Sequence, residues 1–92
     1  MSISVPNPGG YNKWVKTTSY FRSSRNRPDR AIIKREWIKR AIDFPESEIV
    51  QKDGRIRRWV KIPEMSDRYL RVVLLSDGET VHNAFFDRGH KA

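Results

Sequence analysis

Apolar and polar residues alternate most regularly near the end of the chain, in the run YLRVVLLSDGETVHNAFF from Tyr69 to Phe86. The pair Asp77-Gly78 divides this run into two stretches rich in β-branched and aromatic residues. Glycine adopts the positive φ of a type I′ turn without steric cost, so an Asp-Gly pair between two such stretches predicts a β-hairpin.

A two-residue loop at Asp77-Gly78 predicts which residues lie opposite each other in this hairpin. The pairs on one face are Leu74–Val81, Val72–Asn83 and Leu70–Phe85; those on the other are Leu75–Thr80, Val73–His82, Arg71–Ala84 and Tyr69–Phe86. Because successive side chains of a strand point to opposite faces, the first, mostly apolar set is expected to face a core. The second set carries Tyr69, Arg71 and His82, the side chains that can do chemistry.

A second Asp-Gly pair, Asp53-Gly54, predicts another hairpin within residues 47–62. In the strand that follows it, the residues of one face are apolar except for Arg58: Ile56, Val60 and Ile62. The other face is basic and carries one aromatic residue: Arg55, Arg57, Trp59 and Lys61. Pro63 is expected to end the strand, because proline cannot donate a hydrogen bond to a neighbouring strand.

Residues 31–43 show the helical period, with a single apolar stripe made of Ile33, Trp37, Ile38, Ala41 and Ile42. Phe44-Pro45 is expected to end this helix. A shorter helix is predicted around Tyr20 and Phe21, with Thr17 or Thr18 as its N-cap and a break at Pro28. An amphipathic helix also suits a membrane surface, but packing on the half-apolar sheet explains the stripe better.

Together these elements predict an α+β fold in which two N-terminal helices pack on a four-stranded antiparallel meander. Residues 1–12 are expected to form a flexible N-terminal tail, because Pro and Gly are frequent among them. Residues 13–92 are expected to form a single α+β domain, since a chain of 92 residues has room for one modest core.

The chain carries a formal net charge of +8. Such a charge bears on partners, and it favours RNA, DNA, an acidic protein or an anionic membrane surface over a simply soluble basic protein. The absence of cysteine excludes disulfides and thiolate chemistry. The longest apolar run, residues 72–75, is too short to span a bilayer, and the N-terminus lacks the pattern of a signal peptide. We therefore expect a cytoplasmic protein without a membrane partner.

The basic face of the predicted sheet favours nucleic acid as the polyanion. Lys and Arg neutralise phosphates, and an aromatic ring such as that of Trp59 stacks on an unpaired base. Trp59 has an alternative role, packing against a loop or the N-terminal segment at the sheet edge. Four further arginines form either a phosphate-binding patch or a solvated helix face: Arg22, Arg25, Arg27 and Arg30.

His82 is the candidate catalytic base. Opposite Val73 and diagonal to Arg71, it would have its pKa lowered by the nearby cation and could accept a proton from a ribose 2′-OH. Arg71 would stabilise the charge on phosphorus, and Tyr69 would position the substrate or stack on a base. The alternative is a hydrogen-bonded sheet histidine without a catalytic role. No metal-ligand spacing or glycine-rich phosphate loop occurs, so no metal or other cofactor is expected, and Asp87-Arg88 is interpreted as an ion pair.

Three sequence features resemble small bacterial proteins related to the RelE/ParE/BrnT toxin group: the helix ending at Pro45-Glu46, the run YLRVVLLSDG and the closing VHNAFFDR. The resemblance covers roughly residues 17–89. The resemblance implies a RelE-like fold. Toxins of that group often cut mRNA, some poison gyrase, and most pair with an acidic antitoxin. Active groups of that family lie on the sheet and near the C-terminus, where Arg71, His82 and Arg88 broadly match. A full catalytic set is missing, and the tail is short and basic.

The sequence thus predicts a basic RNA-interacting domain and leaves three function classes open. The first is a metal-independent endoribonuclease resembling the mRNA-cleaving toxins. The second is a nucleic-acid-binding module without catalysis. The third is an interaction domain for an acidic, antitoxin-like protein. The residues expected to contact nucleic acid are Arg55, Arg57, Trp59, Lys61 and Arg88.

Overall fold

Four strands of the computed structural model, which describes residues 15–90, form one antiparallel sheet. They are β1 (Ser47–Val50), β2 (Ile56–Ile62), β3 (Arg68–Leu74) and β4 (Val81–Phe86). Their spatial order, β1-β2-β3-β4, is also their order along the chain, so the predicted meander is confirmed. The predicted flexible tail, residues 1–12, lies outside the described residues.

The described residues contain three short α-helices where the sequence predicted two helices, and a 3₁₀ helix (Pro63–Met65) between β2 and β3. The α-helices are α1 (Ser19–Ser24), α2 (Pro28–Ala31) and α3 (Arg35–Asp43). Thr18 caps α1 as predicted, because its Oγ1 accepts a hydrogen bond from the Phe21 amide at 3.1 Å. The predicted helix over residues 31–43 is interrupted before Arg35, where Lys34 has an extended backbone with ψ 147°. The chain turns there and buries Ile33.

The core lies between the helices and one face of the sheet. Its helical side includes Phe21, Ile33, Trp37, Ile38 and Ala41, and its sheet side includes Val60, Ile62, Leu70, Val72, Leu74, Val81 and Ala84. The apolar stripe predicted for the long helix is therefore buried against the sheet, except that Ile42 is only partly buried. The burial of this stripe explains the amphipathicity of α3 without a membrane, and none of the helices among residues 15–90 is long and apolar enough to cross one.

Both Asp-Gly pairs lie in turns, as predicted, but neither forms a two-residue loop. In each turn the glycine amide bonds back three residues, from Gly54 to the Gln51 carbonyl at 3.0 Å and from Gly78 to the Leu75 carbonyl at 2.9 Å. Each glycine is therefore the last residue of its turn, where its φ is positive: 90° for Gly54 and 71° for Gly78. Neither glycine is a central residue of a two-residue loop.

A β-bulge changes the predicted register of the last hairpin. Leu74 lies opposite Val81, as predicted, but Val73 pairs with Asn83, so His82 is the extra residue of the bulge. Every pair beyond it is shifted by one: Val72 lies opposite Ala84, Arg71 opposite Phe85 and Leu70 opposite Phe86. The predicted partners of these residues are therefore wrong. Phe86 faces the core where Phe85 was expected, and Phe85 and Asn83 move to the open face.

The bulge coincides with a contact from the start of the described chain. The segment at Lys16–Thr18 runs beside β4: the Val81 amide donates to the Lys16 carbonyl at 2.8 Å, and the Thr18 amide donates to the Val81 carbonyl at 3.1 Å. Thr18 Oγ1 also lies 3.1 Å from Nδ1 of His82. These contacts hold Val81 and His82 from the outer side of β4, where bulges are frequent.

Candidate nucleic-acid interface

A single carboxylate organises the centre of the open sheet face. Oδ2 of Asp87, just after β4, accepts hydrogen bonds from Nε1 of Trp59 at 3.0 Å and from Nε and Nη2 of Arg71 at 3.0 and 2.7 Å. Burial alone would raise the pKa of Asp87, but the Trp59 and Arg71 hydrogen bonds lower it to about 2. Arg71 is therefore paired with Asp87, and the predicted ion pair between Asp87 and Arg88 is replaced by this one.

His90 lies over this group. Its ring stacks on Trp59 with a centroid distance of 4.5 Å and an interplanar angle of 10°, and it meets the edge of Tyr69 at 4.8 Å. Nε2 of His90 is 3.2 Å from Oγ of Ser47. These contacts hold the imidazole in one orientation, at the end of the sheet that lies away from the two glycine turns.

A cavity of about 680 Å³ opens beside His90. Three cations line it, Lys61, Arg68 and Arg88, together with the rings of Tyr69 and Phe86. Asp67 and Asp87 also reach its wall, and Asp87 is already bound by Arg71. The lining therefore combines positive charge with aromatic surface.

Cation–aromatic contacts position two of the cations of this cavity. The Lys61 ammonium lies 5.9 Å from the Tyr69 ring centroid, and the Arg68 guanidinium lies 4.6 Å from that of Phe86. Glu46 supports the same corner, since its carboxylate accepts from the Lys61 amide at 3.1 Å and from the Tyr69 hydroxyl at 3.4 Å. Lys61 remains exposed, so its charge is accessible to a ligand.

His82 does not join this site, because the bulge moves it away from the predicted position. Phe85, the residue opposite Arg71, is three residues further along β4, a separation of about 10 Å in a strand. His82 instead bonds Thr18 and stacks on Tyr20 with a centroid distance of 5.0 Å. Its pKa is lowered, as expected, but the causes are partial burial and then the charge of Arg55, not Arg71.

The other residues predicted to contact nucleic acid are divided between the two ends of the sheet. Arg55 lies 3.7 Å from the Asp53 carboxylate, and Nε of Arg57 donates to the Gln51 amide oxygen at 2.6 Å. Both are in or next to the first glycine turn and do not line the cavity. Trp59 is 3% exposed and its ring packs against His90 in the C-terminal turn, so the ring face is not open for stacking on a base. Lys61 and Arg88 do line the cavity.

The four N-terminal arginines do not form one patch. Arg22 donates to the Thr17 carbonyl at 3.0 Å, Arg25 lies over the Phe21 ring, and Arg30 donates to Oδ1 of Asn83 at 2.7 Å. Burial, and then the charge of Arg35, lower the pKa of Arg25. Three of the four are thus used in contacts within the fold.

Neither His90 nor Arg68 was among the site residues predicted from the sequence. A local signal existed for His90: Asp87 is followed two residues later by a glycine, a pattern that favours a turn. Oδ1 of Asp87 indeed accepts from the Gly89 amide at 3.0 Å, and the turn returns His90 to the sheet. The position of Arg68 at the cavity depends on the chain reversal before β3 and had no such signal.

Among residues 15–90, no cluster of three or more His, Asp or Glu side chains is arranged to hold a metal ion. Comparison of the chain with protein-family models, with curated proteins and with solved structures finds no match.

Proposed function

We propose that the protein binds single-stranded RNA in the cavity beside His90. The observation that carries this proposal is the lining itself, in which three cations and two aromatic rings occur together with two carboxylates, one of them, Asp87, already paired with Arg71. Phosphates are neutralised by Lys and Arg, while an unpaired base stacks on an aromatic side chain. One cavity that offers both kinds of contact suits a nucleotide with its phosphate.

The shape of the site favours an unpaired strand over a duplex. Tyr69 lines a concave space whose wall includes Phe86 and Arg68, and a base reaches the Tyr69 ring only when it is unstacked from its neighbours. The net charge of +8 supplies long-range attraction for a polyanion without selecting its type. An acidic protein partner is the main alternative, because its negative charge would complement the positive charge of this protein, but such a partner would not need the aromatic lining.

Chemical-shift mapping tests the proposed location. We expect a short oligouridylate to shift the amide signals of Lys61, Tyr69 and Arg88 at low salt and to leave those of α3 unchanged. A matched acidic peptide of equal charge should bind more weakly and without saturation. Shifts confined to the helices, or equal binding of the peptide, would remove the support for an RNA site.

We propose RNA cleavage as a second candidate function, with His90 in the role first assigned to His82. His90 lines the cavity that contains Lys61 and Arg88, so an imidazole that transfers protons lies beside cations that stabilise charge on phosphorus. This proposal includes a RelE-like fold. The resemblance implies active groups on the sheet and near the C-terminus, and His90 and Arg88 lie near the C-terminus. Tyr69 keeps its proposed role in positioning the substrate.

Cleavage is tested on purified RNA and on ribosome-bound mRNA. His90→Gln and His90→Phe are expected to reduce cleavage by about 10²–10⁴-fold, the range for loss of a general acid–base group. His90→Phe preserves a flat ring against Trp59, so RNA binding should persist in that variant. His82→Gln is the matched control and should cleave normally. Intact RNA in the wild-type reaction would reject catalysis while leaving the binding proposal in place.

A further inference from the structure

A second cavity, of about 220 Å³, adjoins the main one around the end of β4. Arg68, Phe86 and Arg88 line both cavities. The second cavity adds Arg30 from α2 and Phe85 from the open sheet face, with the half-exposed Ile32 at its wall. The shared residues make the two cavities neighbours on one continuous surface.

Arg30 is held so that its charge faces this second cavity. Its Nη1 donates to Oδ1 of Asn83 at 2.7 Å, and its guanidinium carbon lies 5.3 Å from the Phe85 ring centroid. Its side chain is 13% exposed, and its Nε is buried without a hydrogen-bond partner. Asp29 lies 3.5 Å from that Nε, but its own side chain is 75% exposed. The buried Nε is out of reach of a ligand, so the part of the guanidinium that lines the second cavity is the part that suits a phosphate.

The charges along both cavities support a path for a polyanion. The cations are Lys61, Arg68, Arg88 and Arg30, and the acidic residues are Asp67, Asp87 and Asp29. Asp87 is paired with Arg71, which does not line either cavity, and therefore does not reduce the charge of the path. Arg68 and Arg88 lie where the cavities meet, so the positive charge is continuous from one to the other.

We infer that the two cavities bind consecutive nucleotides of one RNA strand, with Arg30 contacting the second phosphate. This inference rests on the proposed RNA binding and specifies its ligand: an oligoribonucleotide with at least two adjacent phosphates, in preference to a single nucleotide unit. The strand passes from Lys61 and Tyr69, over Arg68 and Arg88, to Arg30 and Phe85.

The test compares two uridine ligands that differ by one nucleotide and therefore by one internal phosphate. UpU has one internal phosphate and UpUpU has two, and both are titrated into the full chain at low salt with affinity read from amide chemical shifts. We expect UpUpU to bind wild-type protein about tenfold more tightly than UpU, the gain of one charge-assisted contact.

Two variants remove that gain by different means. Arg30→Gln deletes the proposed contact, and Ile32→Glu places a negative charge in the second cavity at a half-exposed position where folding is not at risk. Both should bind UpU like wild-type protein and lose the tenfold preference for UpUpU. Arg27→Gln, which removes an equal charge at an exposed residue outside both cavities, is the matched control and should keep the preference.

The possible results distinguish a failure of the two-cavity path from a failure of RNA binding itself. If neither ligand binds wild-type protein, RNA binding itself fails. If UpU binds but UpUpU gains nothing, or if Ile32→Glu leaves the gain intact, the second cavity is not part of the path and only this inference is overturned. An equal preference for the deoxy ligands would retain the path and reject the choice of RNA.

Discussion

At the scale of single residues, Asp87 connects the core strand β2 to the C-terminal turn. Its Oδ2 accepts from both Trp59 and Arg71, and its Oδ1 accepts from the Gly89 amide. Charge-assisted hydrogen bonds of this kind are among the stronger ones in proteins, and removal of the charge leaves a half-buried guanidinium without its counter-ion. Asp87 therefore stabilises both the open face and the position of His90.

Asp87→Asn is expected to reduce the free energy of unfolding by about 1–3 kcal/mol, because the Arg71 charge loses its partner. Urea denaturation at neutral pH measures this change. Asp43→Asn is the matched control, since the carboxylate of Asp43 lies 3.9 Å from Lys39 and both side chains are about half exposed. Equal effects of the two substitutions would contradict the assigned role of Asp87.

His82 gives the protein a pH-dependent stability distinct from that of Asp87. Its pKa in the folded state is lowered by partial burial and by Arg55, so the unfolded chain binds the proton more readily. The free energy of unfolding is therefore expected to fall as the pH drops below about 6.5, the ordinary pKa of histidine.

His82→Gln should flatten the pH dependence of stability in that range, because glutamine can still bond Thr18 but does not titrate. Urea denaturation at a series of pH values tests this. The contribution of Asp87 is lost at lower pH, as its carboxyl is protonated between its ordinary pKa and about 2, so the two effects are separable. An unchanged profile in His82→Gln would show that His82 has no role in it.

At the scale of elements, the two glycine turns lie side by side and are not equivalent. A Cβ atom at Gly54 would lie 3.3 Å from Cβ of Ser76, whereas one at Gly78 would meet only Cδ1 of Ile56, at 3.9 Å. Both glycines have positive φ, so any substitution strains the backbone at either position. The crowding at Gly54 adds to that strain.

Gly54→Ala is therefore expected to destabilise the protein more than Gly78→Ala. The backbone strain alone costs about 1 kcal/mol at Gly78, and we expect about 2 kcal/mol at Gly54. Thermal or urea unfolding of the two variants measures the difference. The reverse order would mean that the turns do not pack as the structure has them.

At the scale of the whole molecule, the positive charge is spread over the three α-helices and over β2 and β3, but the two cavities of the proposed RNA path are confined to one end of the sheet. Arg55 and Arg57 lie at the other end and bond Asp53 and Gln51. The proposed RNA site thus uses only part of the net charge, and the remainder acts through the long-range field. This division predicts which cations affect the salt dependence of binding.

Lys61→Ala is expected to lower the slope of log affinity against log salt by about one unit, the effect of one phosphate contact. Lys52→Ala is the control, because Lys52 is an exposed lysine in the first glycine turn and lines neither cavity. Fluorescence anisotropy with an oligouridylate over a range of salt concentrations gives both slopes. Equal slopes for the two variants would indicate a non-specific electrostatic interaction without a defined site.

The local features of this fold were predictable because each is encoded within a few consecutive residues. The Asp-Gly turns, the cap at Thr18 and the apolar stripe of α3 follow from periodicity and turn chemistry, and the order of the meander follows from the short connections between its strands. The cross-strand pair Leu74–Val81 was also predictable from the sequence, because it lies between the turn and the bulge.

Only the tertiary structure decided the contacts between residues that are far apart in the chain. Thr18 and His82 are 64 residues apart, and the bulge at His82 adjoins the segment that bonds it. Ser47 and His90 are 43 residues apart, and their contact helps to place His90 in the site where His82 was expected. An extra residue in a strand turns every later side chain to the opposite face of the sheet, and no local sequence pattern predicts such an insertion. The sequence indicated the turn that precedes His90, but its contact with Ser47 and the displacement of His82 by the bulge were decided only by the tertiary structure.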